Sequence, residues 1–444
     1  MDATTQTNDT KAHRIVIVGG GAGGLELAVR LGNKLGRHGR AQVILVDSSL
    51  IHVWKPLLHE VAAGTLDSHE DAIEFLAQAR RHFFRFSLGR MVGLDRAGKR
   101  IHLAAITNQQ GFEVAPPREL GYDTLIIAIG GQVNDFGIAG VREHCTLFDD
   151  HSQAEAFRST FLDHHLRAQF QHAPLEQGWL RIGIIGAGAT GVELAAELHA
   201  ASKQFVSLGL NRSGPSRDMN LVLVEAADRV LPNLSPRVSH ATERQLRQIG
   251  VEILTGEQVS RVTAEGIDTK SGKFVACHLK VWAAGVKAPD FLKDLDGLET
   301  NRLNQLVVRP TLQTTRDDAI FALGDCAECP WPARQSRVPP RAQAAHQQAS
   351  LLAKSLVRRQ PGGPLLPFVY HDRGSLVSLS RYATLGNMMG NLLGEITFEG
   401  MIARLAYRSL YRMHQMVVYG VPRMVLIMLA DWFRRSVGPT LKLH

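Results

Sequence analysis

The chain is punctuated by short, nearly unbroken apolar runs rather than by long amphipathic stripes. Such runs lie at residues 14–18, 43–46, 124–129, 181–185, 221–224, 281–284 and 319–323. A run of four to six mostly apolar residues with no polar alternation predicts a strand buried on both faces, as in a parallel sheet. Two of these runs pass directly into glycine-rich turns, Gly19-Gly20-Gly21-Ala22-Gly23-Gly24 and Gly186-Ala187-Gly188-Ala189-Thr190-Gly191. Each turn opens a helical pattern, residues 25–35 and 192–198, and a further buried strand follows. The periodicity therefore predicts an α/β chain with two Rossmann-like dinucleotide-binding domains.

Both turns fit G-x-G-x-x-G. Gly19 and Gly186 allow the tight reversal, and Gly21 and Gly188 let backbone approach a pyrophosphate. Gly24 and Gly191 let the helix pack close to its strand, with phosphate at the helix N-terminus. One such turn is weak evidence. Two, each in a strand–turn–helix context and each followed by a strand ending in a carboxylate, are strong. Those carboxylates are Asp47 and Glu225, and either can accept hydrogen bonds from ribose hydroxyls. Two bound dinucleotides exchanging electrons is the reading this supports. The strand-then-small-turn theme also recurs, at Ala128-Ile129-Gly130 and Ala283-Ala284-Gly285, as in a duplicated plan. A later strand closes on Gly324-Asp325.

Charge sharpens the picture at one end only. The 444 residues carry a net charge of +8, with 45% hydrophobic and 21% charged residues. Most of the excess sits in residues 401–444, where seven basic residues face one acid, Asp431. Arg404, Arg408 and Arg412 follow i, i+4 spacing opposite an apolar face. Past Pro422 come seven apolar residues, 424–430, then Trp432, Phe433, Arg434 and Arg435. Basic charge beside apolar bulk predicts a C-terminal amphipathic helical segment docking on a lipid surface. The rival is a helix pair packed on the body or on a second subunit. Nucleic acid is not expected as a partner, because binding it requires no apolar face. The polar N-terminus lacks the apolar core of a signal peptide. No apolar stretch approaches the roughly 18 residues of a spanning helix. The expected location is the cytoplasmic side of the cell membrane, as a peripheral protein.

Four cysteines do not make a disulfide framework in a chain of this length. Cys326-Ala327-Glu328-Cys329 is a C-x-x-C without two further spaced ligands, so two unpaired thiols and no metal site are expected. The helix beginning Ala342-Gln343-Ala344-Ala345-His346-Gln347-Gln348 and the stretch Trp54 to Gly64 remain. Taken alone, the stretch reads equally as an ordinary loop entering a helix, and the helix reads first as a solvated face.

Together these motifs resemble the type II NADH:quinone oxidoreductases, single-subunit, non-pumping NADH dehydrogenases of the glutathione-reductase-like flavoproteins. The resemblance runs from about His13 to the C-terminus. It implies FAD on the first loop, with Asp47 on its adenosine ribose, Asp325 on its ribityl or phosphate portion and Lys55 near the isoalloxazine. Ala128 and Gly130 would approach the same cofactor. It implies NADH on the second loop, with Glu225 on the ribose and Gly285 beside the nucleotide. Glu193 resembles the family glutamate at the nicotinamide–flavin contact, against a plainer role in stabilising its helix N-terminus. Gln343 and Gln347 resemble residues that line the quinone pocket. The implied domains are 13–130 and 291–360 for FAD, 131–290 for NADH, and a strand and helix region at 361–444. The implied reaction passes two electrons from NADH through flavin to a membrane quinone without ion pumping. The family also implies a homodimer. A disulfide reductase or a sulfide:quinone oxidoreductase of this superfamily would need cysteines beside the flavin, and residues 48–64 contain none. A non-catalytic NADH-binding signalling protein is the alternative of a different class.

Overall fold

The computed structural model describes residues 12–52, 54–66, 72–108, 110–170, 180–208, 219–359, 364–380, 383–390, 394–399, 412 and 414–437. They fall into two compact units. One is drawn from Met1–His52, Ile73–Gly131 and Lys287–Tyr370, the other from Val53–Ala72, Gln132–Val286 and His371–His444.

The first unit is built on a six-stranded sheet. Its order is Gln313–Thr314, Asp317–Ala322, Thr124–Ile127, His13–Val18, Ala41–Asp47 and Arg85–Leu88. All neighbours are parallel except the first pair. The apolar runs lie inside it, Ile15, Val16 and Ile17 being fully buried. The strand His13–Val18 is central, and the chain leaves it toward Ala41–Asp47 on one side and later returns at Thr124–Ile127 on the other. That reversal places its carboxyl end, and the first glycine loop, at the sheet's topological switch point.

The second unit repeats the plan in five parallel strands, ordered Thr146–Leu147, Leu279–Trp282, Arg181–Ile185, Asn220–Val224 and Glu252–Leu254. The register pairs Ile185 with Val224 on one side and with Trp282 on the other, so the three carboxyl ends are level. The second glycine loop again leaves the central strand.

The segment 53–72, placed in the first FAD portion by the sequence, clusters instead with the second unit. The reason is its short helix Leu58–Ala63. Leu58, Val61, Ala62 and Ala63 are buried in the same core as Ile182, Leu194 and Leu223 of the second sheet. Residues from 371 onward also cluster there, with Val377 and Leu379 of a three-stranded antiparallel meander entering that core.

The helix predicted over 402–417 falls largely on 401–411, outside the described residues. The part that is described is anchored. His414 and Gln415 are buried, and the His414 ring packs against Trp54 with centroids 4.5 Å apart and planes tilted by 35°. After Gly420, whose φ is +77°, the chain starts a second helix, Val421–Val437, with Pro422 in its first turn. Among the described residues, no helix is long and apolar enough to cross a membrane.

Candidate functional site

The first loop is shaped by its own strand ends. Gly19 sits at φ +101°, and a β-carbon there would stand 2.4 Å from the Ala128 carbonyl oxygen. A β-carbon on Gly24 would stand 1.8 Å from the Gly19 carbonyl oxygen, so only glycine lets the helix Ala22–Leu31 start this close. Asp47 then fixes the turn. Its Oδ2 accepts from the Gly20 amide at 2.5 Å and its Oδ1 from the Ser49 amide at 2.8 Å. At the middle glycine the picture reverses, since a β-carbon on Gly21 would meet nothing within 4 Å. The loop is crowded where it meets protein and open where a pyrophosphate would lie.

The second loop has the same construction. Gly186 lies at φ +101° against Ala284, and a β-carbon on Gly191 would stand 2.0 Å from the Gly186 carbonyl oxygen. Gly188 is open in all directions to 4 Å. Glu225 Oε2 accepts from the Ala187 amide at 2.6 Å and Oε1 from the Ala227 amide at 2.8 Å. The carboxylates read as ribose ligands therefore also hold their loops. Arg229, the nearest cation in sequence, donates to the Pro232 carbonyl at 2.9 Å.

Around the first loop the structure gathers Ala128, Gly130 and Asp325 in one unit. The Ala128 amide bonds back to Val18 at 2.8 Å, and Gly130 turns at φ +73°. Asp325 lies in the one-turn helix Gly324–Cys326, and its carbonyl accepts from Gln305 at 2.9 Å. The Gly324 amide donates to Gln348 Oε1 at 2.8 Å. Gln348 is 1% exposed and is a site-shaping residue missed in the sequence. Its place in the Ala342–Gln348 motif was the available signal.

Gln343 and Gln347 stand one turn apart on the helix Ala342–Arg359, both half-buried, while Ala344, Ala345 and Gln348 form its buried side. The same helix packs on the first dinucleotide helix where Gly23 meets Ala345. There the fully buried Glu26 pairs with His346 and with Arg30.

In the second unit, Glu193 is buried just past the first turn of the helix Ala189–Ser207, so the structure does not give it the plainer role of a first-turn carboxylate. Its Oε1 accepts from the Ser378 amide at 3.0 Å, and its Oε2 lies 3.7 Å from His59 Nδ1. Burial lowers His59 to about 4, opposed more weakly by the Pro56 backbone, so the imidazole is neutral at pH 7. A neutral ring at this distance makes a dipolar contact rather than an ion pair. Lys55, expected beside FAD, is an exposed residue of the turn Lys55–Leu57, in the segment that packs with the second unit. Gly285 lies at the carboxyl end of Leu279–Trp282 with φ +74°.

Cys145, Cys277, Cys326 and Cys329 are all free thiols. Cys326 and Cys329 are buried free thiols, pushed up by burial to about 12 and about 11. Cys326 donates to the Leu323 and Ile127 carbonyls.

Comparison with known proteins settles the family. The model of the pyridine nucleotide-disulphide oxidoreductases matches residues 13–349. The type II NADH:quinone oxidoreductase of Haemophilus influenzae is 42% identical over 97% of this chain and 99% of its own. This chain belongs to the type II NADH:quinone oxidoreductases. A type II NADH:quinone oxidoreductase of Mycobacterium tuberculosis is 28% identical over 90% of this chain and 84% of its own. Among solved structures, NDH2 from Plasmodium falciparum in complex with NADH superposes with a TM-score of 0.79. It is 18% identical, covering 97% of this chain and 100% of that one. The chain is thus a single-subunit, non-pumping NADH dehydrogenase, with FAD as the family's flavin. Two crowded-then-open loops, each locked by a strand-end carboxylate, are a donor set that fits two dinucleotides.

Proposed function

We propose that the first unit's loop holds FAD, through Gly19, Gly21, Gly24, Asp47, Ala128, Gly130 and Asp325, and that the second unit's loop holds NADH. The duplicated loop geometry carries this reading. On it, residues 13–52, 73–130 and 291–360 serve FAD, while residues 131–290 serve NADH, with the segment 53–72 belonging to the second unit. Gly186, Gly188 and Gly191 leave room for the NADH pyrophosphate at the N-terminus of Ala189–Ser207. Glu225 accepts from the ribose hydroxyls, and its charge repels a 2′-phosphate, favouring NADH over NADPH.

When bound, FAD supplies the two-electron relay between NADH and quinone. The protein's own contribution is orientation and charge. Glu193, pinned by the Ser378 amide and flanked by a neutral His59, is a fixed carboxylate where the nicotinamide would approach. Being buried and already hydrogen-bonded, it needs no reorganisation when the donor binds. The amides of Gln343 and Gln347 donate to the two quinone carbonyl oxygens, one helical turn apart. Lys55 supplies positive charge on the short turn before the helix that carries His59.

The quinone is taken from a membrane on which the C-terminal helix lies. Met424 of Val421–Val437 is 2% exposed, while Val421, Val425, Leu426, Met428, Leu429 and Phe433 are exposed. An apolar face of that size is covered in a working protein, and the basic residues of the tail favour an anionic lipid surface. The protein then sits peripherally on the cytoplasmic side of the membrane, and the family points to a homodimer.

The test is an anaerobic half-reaction. NADH should bleach the bound flavin, and a short-chain ubiquinone should restore it rapidly. Bleaching without recovery would sink the quinone assignment.

A further inference from the structure

We propose that Phe136 is a substrate-contacting residue whose ring covers the nicotinamide-ribose half of NADH. The inference rests on NADH occupying the second loop.

Phe136 is 60% exposed, and its backbone lies at φ +52°, a conformation that disfavours any residue with a β-carbon. The turn is tied in place by its neighbours. The Phe136 amide donates to Asn134 Oδ1 at 3.0 Å, and the Gly137 amide donates to Asp135 Oδ1 at 3.2 Å. Beneath it, the buried Trp282 Nε1 donates to the Asn134 and Ala284 carbonyls, each at 2.9 Å. The Phe136 ring stands 6.5 Å from the Trp282 ring and lies against Gly285, where a β-carbon would meet it at 2.5 Å. A large apolar side chain is thus held out of the core, in a strained backbone, at a fixed place. Strain maintained this way points to use.

The sheet says what the use is. Strand order runs Leu279–Trp282, Arg181–Ile185, Asn220–Val224, with carboxyl ends level. A dinucleotide lies across these ends. Glu225, after the third strand, marks the adenosine, and the loop after the second marks the pyrophosphate. The remaining half must continue over the end of the first, where Ala284, Gly285 and Phe136 stand. A flat, uncharged ring suits the flat, uncharged dihydronicotinamide.

The experiment uses the full-length flavin-loaded protein with a dye acceptor. Phe136→Gly keeps the left-handed turn without strain and removes only the ring. It should raise the KM for NADH about tenfold while shifting the inhibition constant of ADP-ribose, which lacks nicotinamide, less than about twofold. Phe136→Tyr should restore the wild-type KM. An unchanged NADH KM in F136G would overturn the proposal, as would an equal loss of ADP-ribose binding, which would make Phe136 a shaper of the loop. Glu225→Ala separates the underlying reading. If it leaves ADP-ribose inhibition untouched, NADH does not use the second loop at all, whatever F136G shows.

Discussion

Alanine at Gly188 and alanine at Gly191 should have opposite consequences, although the two positions are three residues apart. At Gly188 the backbone is extended, φ −71° and ψ −176°, and a new β-carbon meets no protein atom within 4 Å. Folding stability should therefore stay within about 1 kcal/mol of wild type. On the proposed placement, however, the NADH pyrophosphate needs that space. Displacing it loosens about two charge-assisted bonds from the following amides, worth about 1.5–3 kcal/mol each, so affinity for NADH should fall by at least about 100-fold. At Gly191 the β-carbon would lie 2.0 Å from the Gly186 oxygen, whereas ordinary contact begins at 3.4 Å. The helix Ala189–Ser207 must move off its strand by more than 1 Å, disturbing Val192, Leu194 and Ala195 in the core. Overpacking of that kind costs about 1–3 kcal/mol. Thermal melting and anaerobic flavin bleaching by NADH, measured on both variants, read out the two effects. A G188A protein that titrates like wild type would refute the placement of phosphate on this loop. A G191A protein that melts at the wild-type temperature would refute the close-packing argument.

Glu225→Gln keeps an acceptor for the Ala187 amide but removes the charge, and should raise the NADPH:NADH preference about tenfold, or ~1.4 kcal/mol. An unchanged ratio would take Glu225 out of the ribose site. His52 and His59 are both buried and lowered to about 4 from 6.5. The unfolded chain therefore binds more protons between pH 6.5 and 4, and stability should fall as pH drops through that window. Each histidine contributes on the order of 3 kcal/mol by pH 4. Denaturant unfolding of His52→Asn at pH 7 and 4.5 should show a shallower pH slope than wild type, and equal slopes would refute the assignment. Glutamate at both Leu426 and Leu429, each exposed, should leave melting unchanged and release the protein from anionic vesicles in a flotation assay, since it removes apolar contact and adds repulsion. Continued flotation would refute the membrane reading, and a change in oligomeric state instead would assign the face to a second copy. Iodoacetamide should label Cys326 and Cys329 only in denaturant, because their thiols are buried and scarcely ionised at neutral pH. Rapid labelling of the native protein would contradict that burial.

The loops were legible in the sequence because glycine there is a steric requirement, set by distances of 1.8 and 2.0 Å to carbonyl oxygens within the same turn. Local chemistry of this kind prints itself locally. Glu193 was different. As one glutamate near a helix start it was legible only through family resemblance, because what sets it apart comes from Ser378, 185 residues away, and from His59. The pairing of residues 53–72 with the second unit was hidden for the same reason. A helix of apolar residues shows that it will be buried, not against which sheet. Gln348 read as the end of a motif, and its bond to Gly324 depends on two elements meeting at 24 residues' separation. Phe136 was invisible because neither its left-handed backbone nor its exposure follows from the pattern around it.

Asp47 and Glu225 have one more consequence. Each spends a carboxylate oxygen on the second residue of its own loop, the longer side chain doing in one half what the shorter does in the other. The loops are therefore preorganised. Their conformational entropy is surrendered during folding, not on encounter, so on the proposed placement neither nucleotide would have to wait for a loop to find its shape. Association should be limited by diffusion and docking rather than by an ordering step. Affinity would then be tuned through dissociation. One duplicated architecture can in this way retain a resident cofactor in one half and exchange a diffusible substrate in the other, with loop geometry nearly unchanged between them.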